Sequence, residues 1–130
     1  MSEAERTSGT SPYEQFYGFS RAIRVGDRIM VSGTAPVETD GSSSPGDAVA
    51  QARRCFAIIL RAIEELGGTA SDVVRTRMFI TDPADADAVG AVHGEVFRDV
   101  RPAATMVVVK ALLRDEWRVE IEAEALIQDA

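Results

Sequence analysis

The sequence predicts an α+β domain in which two helices pack on one face of a mixed sheet, in the order ββ-α-β-α-ββ. Three observations carry that prediction. Two short β-rich runs flank a Gly26-Asp27 turn. Apolar residues recur at helical spacing from Val49 to Leu66, and Trp117–Ile127 alternates apolar with polar residues.

Met1 to Thr10 are small, polar and aperiodic, and they read as a flexible tail ahead of a single domain spanning residues 11–130. Phe19–Val25 and Arg28–Gly33 form a hairpin pattern around the Gly-Asp turn. Thr39–Gly46 (TDGSSSPG) is a loop, because its turn formers compete for backbone hydrogen bonds. Val49, Ala52, Cys55, Phe56, Ile59, Ile63 and Leu66 lie on one helical stripe, with Asp47 as N-cap and Gly67-Gly68 as the stop. Val73–Ile80 is β-branched and reads as a strand. Asp82-Pro83 opens a second helix, whose stripe runs through Val89, Val92, His93, Val96 and Phe97. Ala103–Val109 is nearly continuously apolar, which predicts a strand covered on both faces. Two helices on one side leave the other side of the sheet bare. A sheet this apolar must hide that face, and a homo-oligomer is expected.

Composition narrows the function classes. The chain has 130 residues, near the mode for one domain, so a second core is not expected. One cysteine excludes an intrachain disulfide framework. Lys and Arg total 14 against 21 Asp and Glu, a formal net charge of −7, which weighs against nucleic acid and anionic membranes as partners. No apolar run approaches the roughly 20 residues of a spanning helix. The opening MSEAERTSGTS has no apolar signal region, and a cytoplasmic location is expected.

Few residues offer chemistry. His93 is the sole histidine and lies on an apolar helical stripe, where packing is the simpler role. Cys55 sits mid-stripe and reads as a buried, inert thiol. These two leave no metal-ligand spacing, and no glycine-rich phosphate loop precedes a helix, so neither metal nor cofactor is expected. Glu120, Glu122 and Glu124 project from one face of the last strand, opposite Ile121, Ala123 and Ala125. Such a row is most simply a surface salt-bridged to Arg75 and Arg77. The functional alternative places one of these carboxylates in a cleft, where it takes a proton from an attacking water.

The segments GDRIMVSGTAP, EELGGTASDVVRTRMFITD, RPAATMVVV and VEIEAEA resemble, in this order, the reactive intermediate deaminase (RidA, YjgF-type) superfamily. The resemblance runs from about Gly18 to the C-terminus. It implies a chorismate-mutase-like fold and a homotrimer with small-molecule clefts at its three subunit interfaces. The implied activity is cofactor-free hydrolysis of reactive enamines and imines to a 2-oxo acid and ammonia. An older family label is endoribonuclease, which the acidic composition disfavours here.

Carried across residue by residue, the family's site is only partly present. The water-orienting glutamate falls at Glu120, and a Ser/Thr position is kept at Thr105. The carboxylate-binding arginine falls at Ala104, the neighbouring cysteine at Met106 and the first strand's tyrosine at Phe19. An arginine fork holds a carboxylate by paired, charge-assisted bonds, which alanine lacks; the loss is about 2–3 kcal/mol. Arg21, two residues beyond Phe19 on one face, is a candidate replacement anchor or a partner of Glu120. The expected cleft is thus formed by Glu120 with Phe19, Arg21, Ala104, Thr105 and Met106. The alternative to an enzyme is a non-catalytic module that binds a small apolar metabolite.

Overall fold

In the computed structural model, which describes residues 4–44 and 46–128, the chain runs β1 (Glu5–Thr7), α1 (Pro12–Tyr17), β2 (Ala22–Val25) and β3 (Arg28–Thr34). It continues through α2 (Ala48–Glu65), β4 (Val73–Ile80), α3 (Ala86–Phe97), β5 (Ala103–Val108) and β6 (Val119–Leu126). The strands form one mixed sheet in the order β1-β2-β3-β6-β4-β5. Only β4 and β5 pair in parallel; β6, the last strand in sequence, inserts antiparallel between β3 and β4. The predicted α+β order is present, with β1 and α1 added ahead of it.

Each element follows from local chemistry. Gly26 takes φ 63° and turns β2 into β3. The Asp47 carboxylate caps α2 by accepting from the Ala50 N–H at 3.0 Å. Ala52, Cys55, Phe56, Ile59 and Ile63 then point into the core at 1% exposure or less. Each large side chain among them contributes roughly 1.5–3 kcal/mol by leaving water. Against this stripe pack Val89, Val92 and Phe97 of α3 and Val119, Ile121 and Ala123 of β6. No described helix is long and apolar enough to cross a membrane.

Two expectations need correction. The segment read as a tail through Thr10 includes β1, which pairs with β2 from Glu5↔Arg24 to Thr7↔Ala22; Met1–Glu3 lie outside the described residues. Polar side chains hide an edge strand from a hydrophobicity pattern, because its stability comes from backbone pairing. The second concerns β5, expected to be covered on both faces. It is the edge of the sheet, paired only with β4, and Val107 and Val108 are 42% and 52% exposed. A continuous apolar run records that a strand is suited to burial, and among the described residues no strand lies beyond this edge.

Candidate functional site

The site begins at an interruption in the sheet. The β3–β6 register shifts between Val31 and Thr34, so Gly33 sits in a bulge beside Glu120. A Cβ on Gly33 would lie 2.5 Å from Glu120 Oε2, so the carboxylate occupies space that only glycine leaves open. Glu120 itself is half-buried and has no hydrogen bond or ion pair among the described residues. Burial pushes its pKa above the usual carboxylate value; Arg21 acts in the opposite sense, and Glu122 adds to the rise.

Helix α1, which sequence patterning missed, supplies one wall. The Ser11 hydroxyl accepts from the Tyr13 N–H, Pro12 occupies the first turn, and Gly18 closes the helix at φ 80°. Those capping residues are the signal that could have located it. The Tyr13 and Tyr17 rings stack at 5.2 Å, and Tyr13 meets Trp117 edge-on at 6.1 Å. Trp117 is fixed in turn by donating from Nε1 to Ser43 Oγ at 2.8 Å. With Phe19 and Glu120, these rings enclose a cleft of about 340 Å³.

Arg21 lines the same cleft, and its ion pair is with a residue that the sequence reading had not singled out. Glu14 of α1 is buried, accepts from the Gly9 N–H at 2.8 Å through Oε1, and places Oε2 3.5 Å from Arg21 Nη1. Arg21 Nη2 donates to the Gly33 carbonyl. Only 6% of the Arg21 side chain is exposed, and the guanidinium packs 5.6 Å from the Phe19 ring. Desolvation lowers the Arg21 pKa, partly offset by Glu14 and then Glu120. The guanidinium therefore braces α1 against the bulge, close to Glu120 but not bonded to it.

The other predicted cleft residues stand elsewhere in a single chain. Ala104, Thr105 and Met106 lie on β5, opposite Thr76, Arg77 and Met78 of β4. None of them lines the Glu120 cleft. Met106 turns toward α3, 3.8 Å from where a Cβ on Gly90 would stand. The acidic row divides as well. Arg77 lies 3.4 Å from both Glu122 and Glu124, whereas Arg75 donates to Thr105 Oγ1 at 2.8 Å instead.

His93 and Cys55 are packing residues. His93 Nε2 lies 2.8 Å from Thr76 Oγ1, and its ring sits between Phe56 and Phe97, with burial lowering its pKa. Cys55 is fully buried, and desolvation raises its thiol pKa strongly. No group of three or more His, Cys, Asp or Glu residues with metal-binding geometry occurs among the described residues.

This sheet, with two long helices on one side and a carboxylate at a bulge, belongs to the α+β class of the YjgF and chorismate-mutase-like folds. The family model for endoribonuclease L-PSP matches residues 10–127, and the chain belongs to that family, within the RidA/YjgF superfamily. It is 38% identical to an uncharacterized protein of Streptomyces coelicolor, over 92% of this chain and 90% of that one. A RutC family protein of Haemophilus influenzae is 35% identical over 83% of this chain and 85% of its own. The crystal structure of Rv2704 from Mycobacterium tuberculosis, a member of the YjgF/YER057c/UK114 family, superimposes with a TM-score of 0.88. It shares 38% identity, covering 96% of this chain and 100% of that one. The Escherichia coli YjgF gene product gives a TM-score of 0.83 at 28% identity, over 95% and 100% of the two chains.

Proposed function

We propose that the cleft hydrolyses a small reactive imine or enamine without a cofactor, with Glu120 as general base. The observation that carries this reading is an unpaired, half-buried carboxylate facing a cleft with aromatic walls. A base with a raised pKa holds an abstracted proton more readily and can return it to the leaving nitrogen. The exposed apolar edge at Val107 and Val108 supports self-association; in our reading the assembly is a cytoplasmic homotrimer in which β5 of one subunit approaches its neighbour's cleft. Ala104, Thr105 and Met106 would then line that cleft from across the interface.

The second reading is a binding module of the same fold. Ala104 at the arginine position favours it, as does an Arg21 already held by Glu14 and Gly33. Ribonuclease activity ranks below both, because the one cation among the described lining residues, Arg21, is already paired with Glu14. Imine lifetime in a coupled oxidase assay decides between the first two. Catalytic shortening by substoichiometric protein supports hydrolysis, and saturable stoichiometric binding without turnover supports the module. Sedimentation at micromolar concentration is expected to give a trimer, and a folded monomer would refute the assembly.

A further inference from the structure

The charges of the cleft go beyond hydrolysis in general and bear on which imines fit. Of the described residues that one subunit contributes to its lining, Arg21 and Glu120 are the charged pair. Arg21 is compensated from behind by Glu14 at Nη1, its Nη2 donates to the Gly33 carbonyl, and its Nε is sealed from solvent. The group of Arg21, Glu14 and ionised Glu120 thus carries one net negative charge, presented by Glu120. A substrate carboxylate would add a second negative charge beside it. A protonated imine would neutralise it. The walls meanwhile are lined by the aromatic rings of Tyr13, Tyr17, Phe19 and Trp117, an apolar surround that suits an aryl group.

We propose that this cleft selects protonated aryl imines that carry no carboxylate, the class released by oxidation of aryl-substituted primary amines. In this scheme Glu14 is a specificity-determining, positioning residue, because it removes Arg21 from service as an anion anchor. The proposal rests on the hydrolytic reading above for its chemical step. The oxygen of water bonds to the imine carbon as the C=N π pair moves to nitrogen, and Glu120 takes the water proton. The carbinolamine nitrogen then takes that proton and departs with the C–N pair as ammonia. The carbinol hydroxyl loses its proton to that ammonia as the carbonyl forms, so one aldehyde and one ammonium ion leave for each iminium ion and water consumed.

Two arms test this on the assembled, full-length protein. In the first, benzamidine and benzoate are titrated as isosteric probes of opposite charge, with no turnover required. Benzamidine is expected to bind at least about tenfold more tightly, and salt should narrow the gap. Glu14→Gln frees the Arg21 charge and should reduce the preference by about tenfold; if that variant fails to fold, the contrast in the unmodified protein carries the test. In the second arm, a flavin amine oxidase acting on benzylamine supplies the carboxylate-free imine. A flavin amino acid oxidase acting on phenylglycine supplies its carboxylate counterpart. Faster hydrolysis of the benzylamine-derived imine is expected. Benzoate binding as tightly as benzamidine, or faster hydrolysis of the carboxylate imine, would overturn the proposal while leaving hydrolysis in place. Selection of benzamidine with neither imine accelerated would uphold the charge selection and bring down the hydrolytic reading instead.

Discussion

Glu120 and Glu122 stand two residues apart on the same face of β6, yet their surroundings differ in every respect that matters to chemistry. Glu122 lies across from Arg77 in the β4 register and pairs with it at 3.4 Å in a solvated setting. Glu120 lies across from Phe79, beside the Gly33 bulge, and among the described residues it meets no cation directly. Strand alternation decides which way a carboxylate points. The residue across the ladder decides whether it becomes a surface ion pair or a half-buried carboxylate at a cleft.

The widest gap between the two should be in activity. Glu120→Gln keeps the shape but removes the basic oxygen, and imine hydrolysis should fall by about 10²–10⁴-fold. Glu122→Gln and Glu124→Gln should stay within about twofold of the parent, since neither touches the cleft. Steady-state rates from the coupled assay check this. Equal losses for Glu120→Gln and Glu122→Gln would erase the distinction.

A subtler change tests position rather than chemistry. Gly33→Ala would set a methyl 2.5 Å from the present site of Glu120 Oε2, so the carboxylate must move. The clash is with the end of a flexible side chain, so folding should be little affected. The rate should fall roughly tenfold, because displacement of a catalytic group by about 1 Å is costly. Kinetics together with a melting curve would separate the two effects. A large drop in Tm with unchanged specific activity would show that the bulge serves stability alone.

Much of the fold was legible from residues 19–127, because α2 and β6 carry strong periods of 3.6 and 2, Asp47 caps α2, Gly26 turns β2 into β3, and Pro83 opens the short helical turn that leads into α3. What escaped has physical reasons. Helix α1 has six residues, too few for a period to emerge, and Phe16 and Tyr17 are 81% and 57% exposed. Only its capping residues, Ser11 and Gly18, mark it in the sequence. The side chain of Glu14 looks like any surface acid until tertiary structure brings Arg21 to it. Glu120, Phe19 and Arg21 were legible as neighbours, and they line one cleft. Tyr13, Tyr17 and Trp117 were not, because their convergence depends on how α1 folds back over the bulge. The apolar run of β5 was recognised, but its place at the sheet edge is a topological fact that hydrophobicity does not encode.

The smallest expected effect lies in stability and has opposite signs for the two glutamates. Burial raises the Glu120 pKa in the native state, so the folded protein binds that proton more tightly than the unfolded chain does. Between the ordinary carboxylate value and the raised native value, the native state holds more protons. Stability therefore falls as pH rises through that window. The penalty for ionising Glu120 is fully present above the native pKa and absent below the unfolded one. Glu120→Gln removes the penalty, so its Tm should exceed the parent's at pH 7.5, and the gain should vanish below about pH 4. Glu122→Gln instead loses a half-exposed ion pair with Arg77, a cost under about 1 kcal/mol that added salt should shrink. Melting curves for both variants across that pH range, at low and high salt, read the two signs directly. A Glu120→Gln gain that persisted in acid would show that the relief comes from packing against Gly33 rather than from the charge.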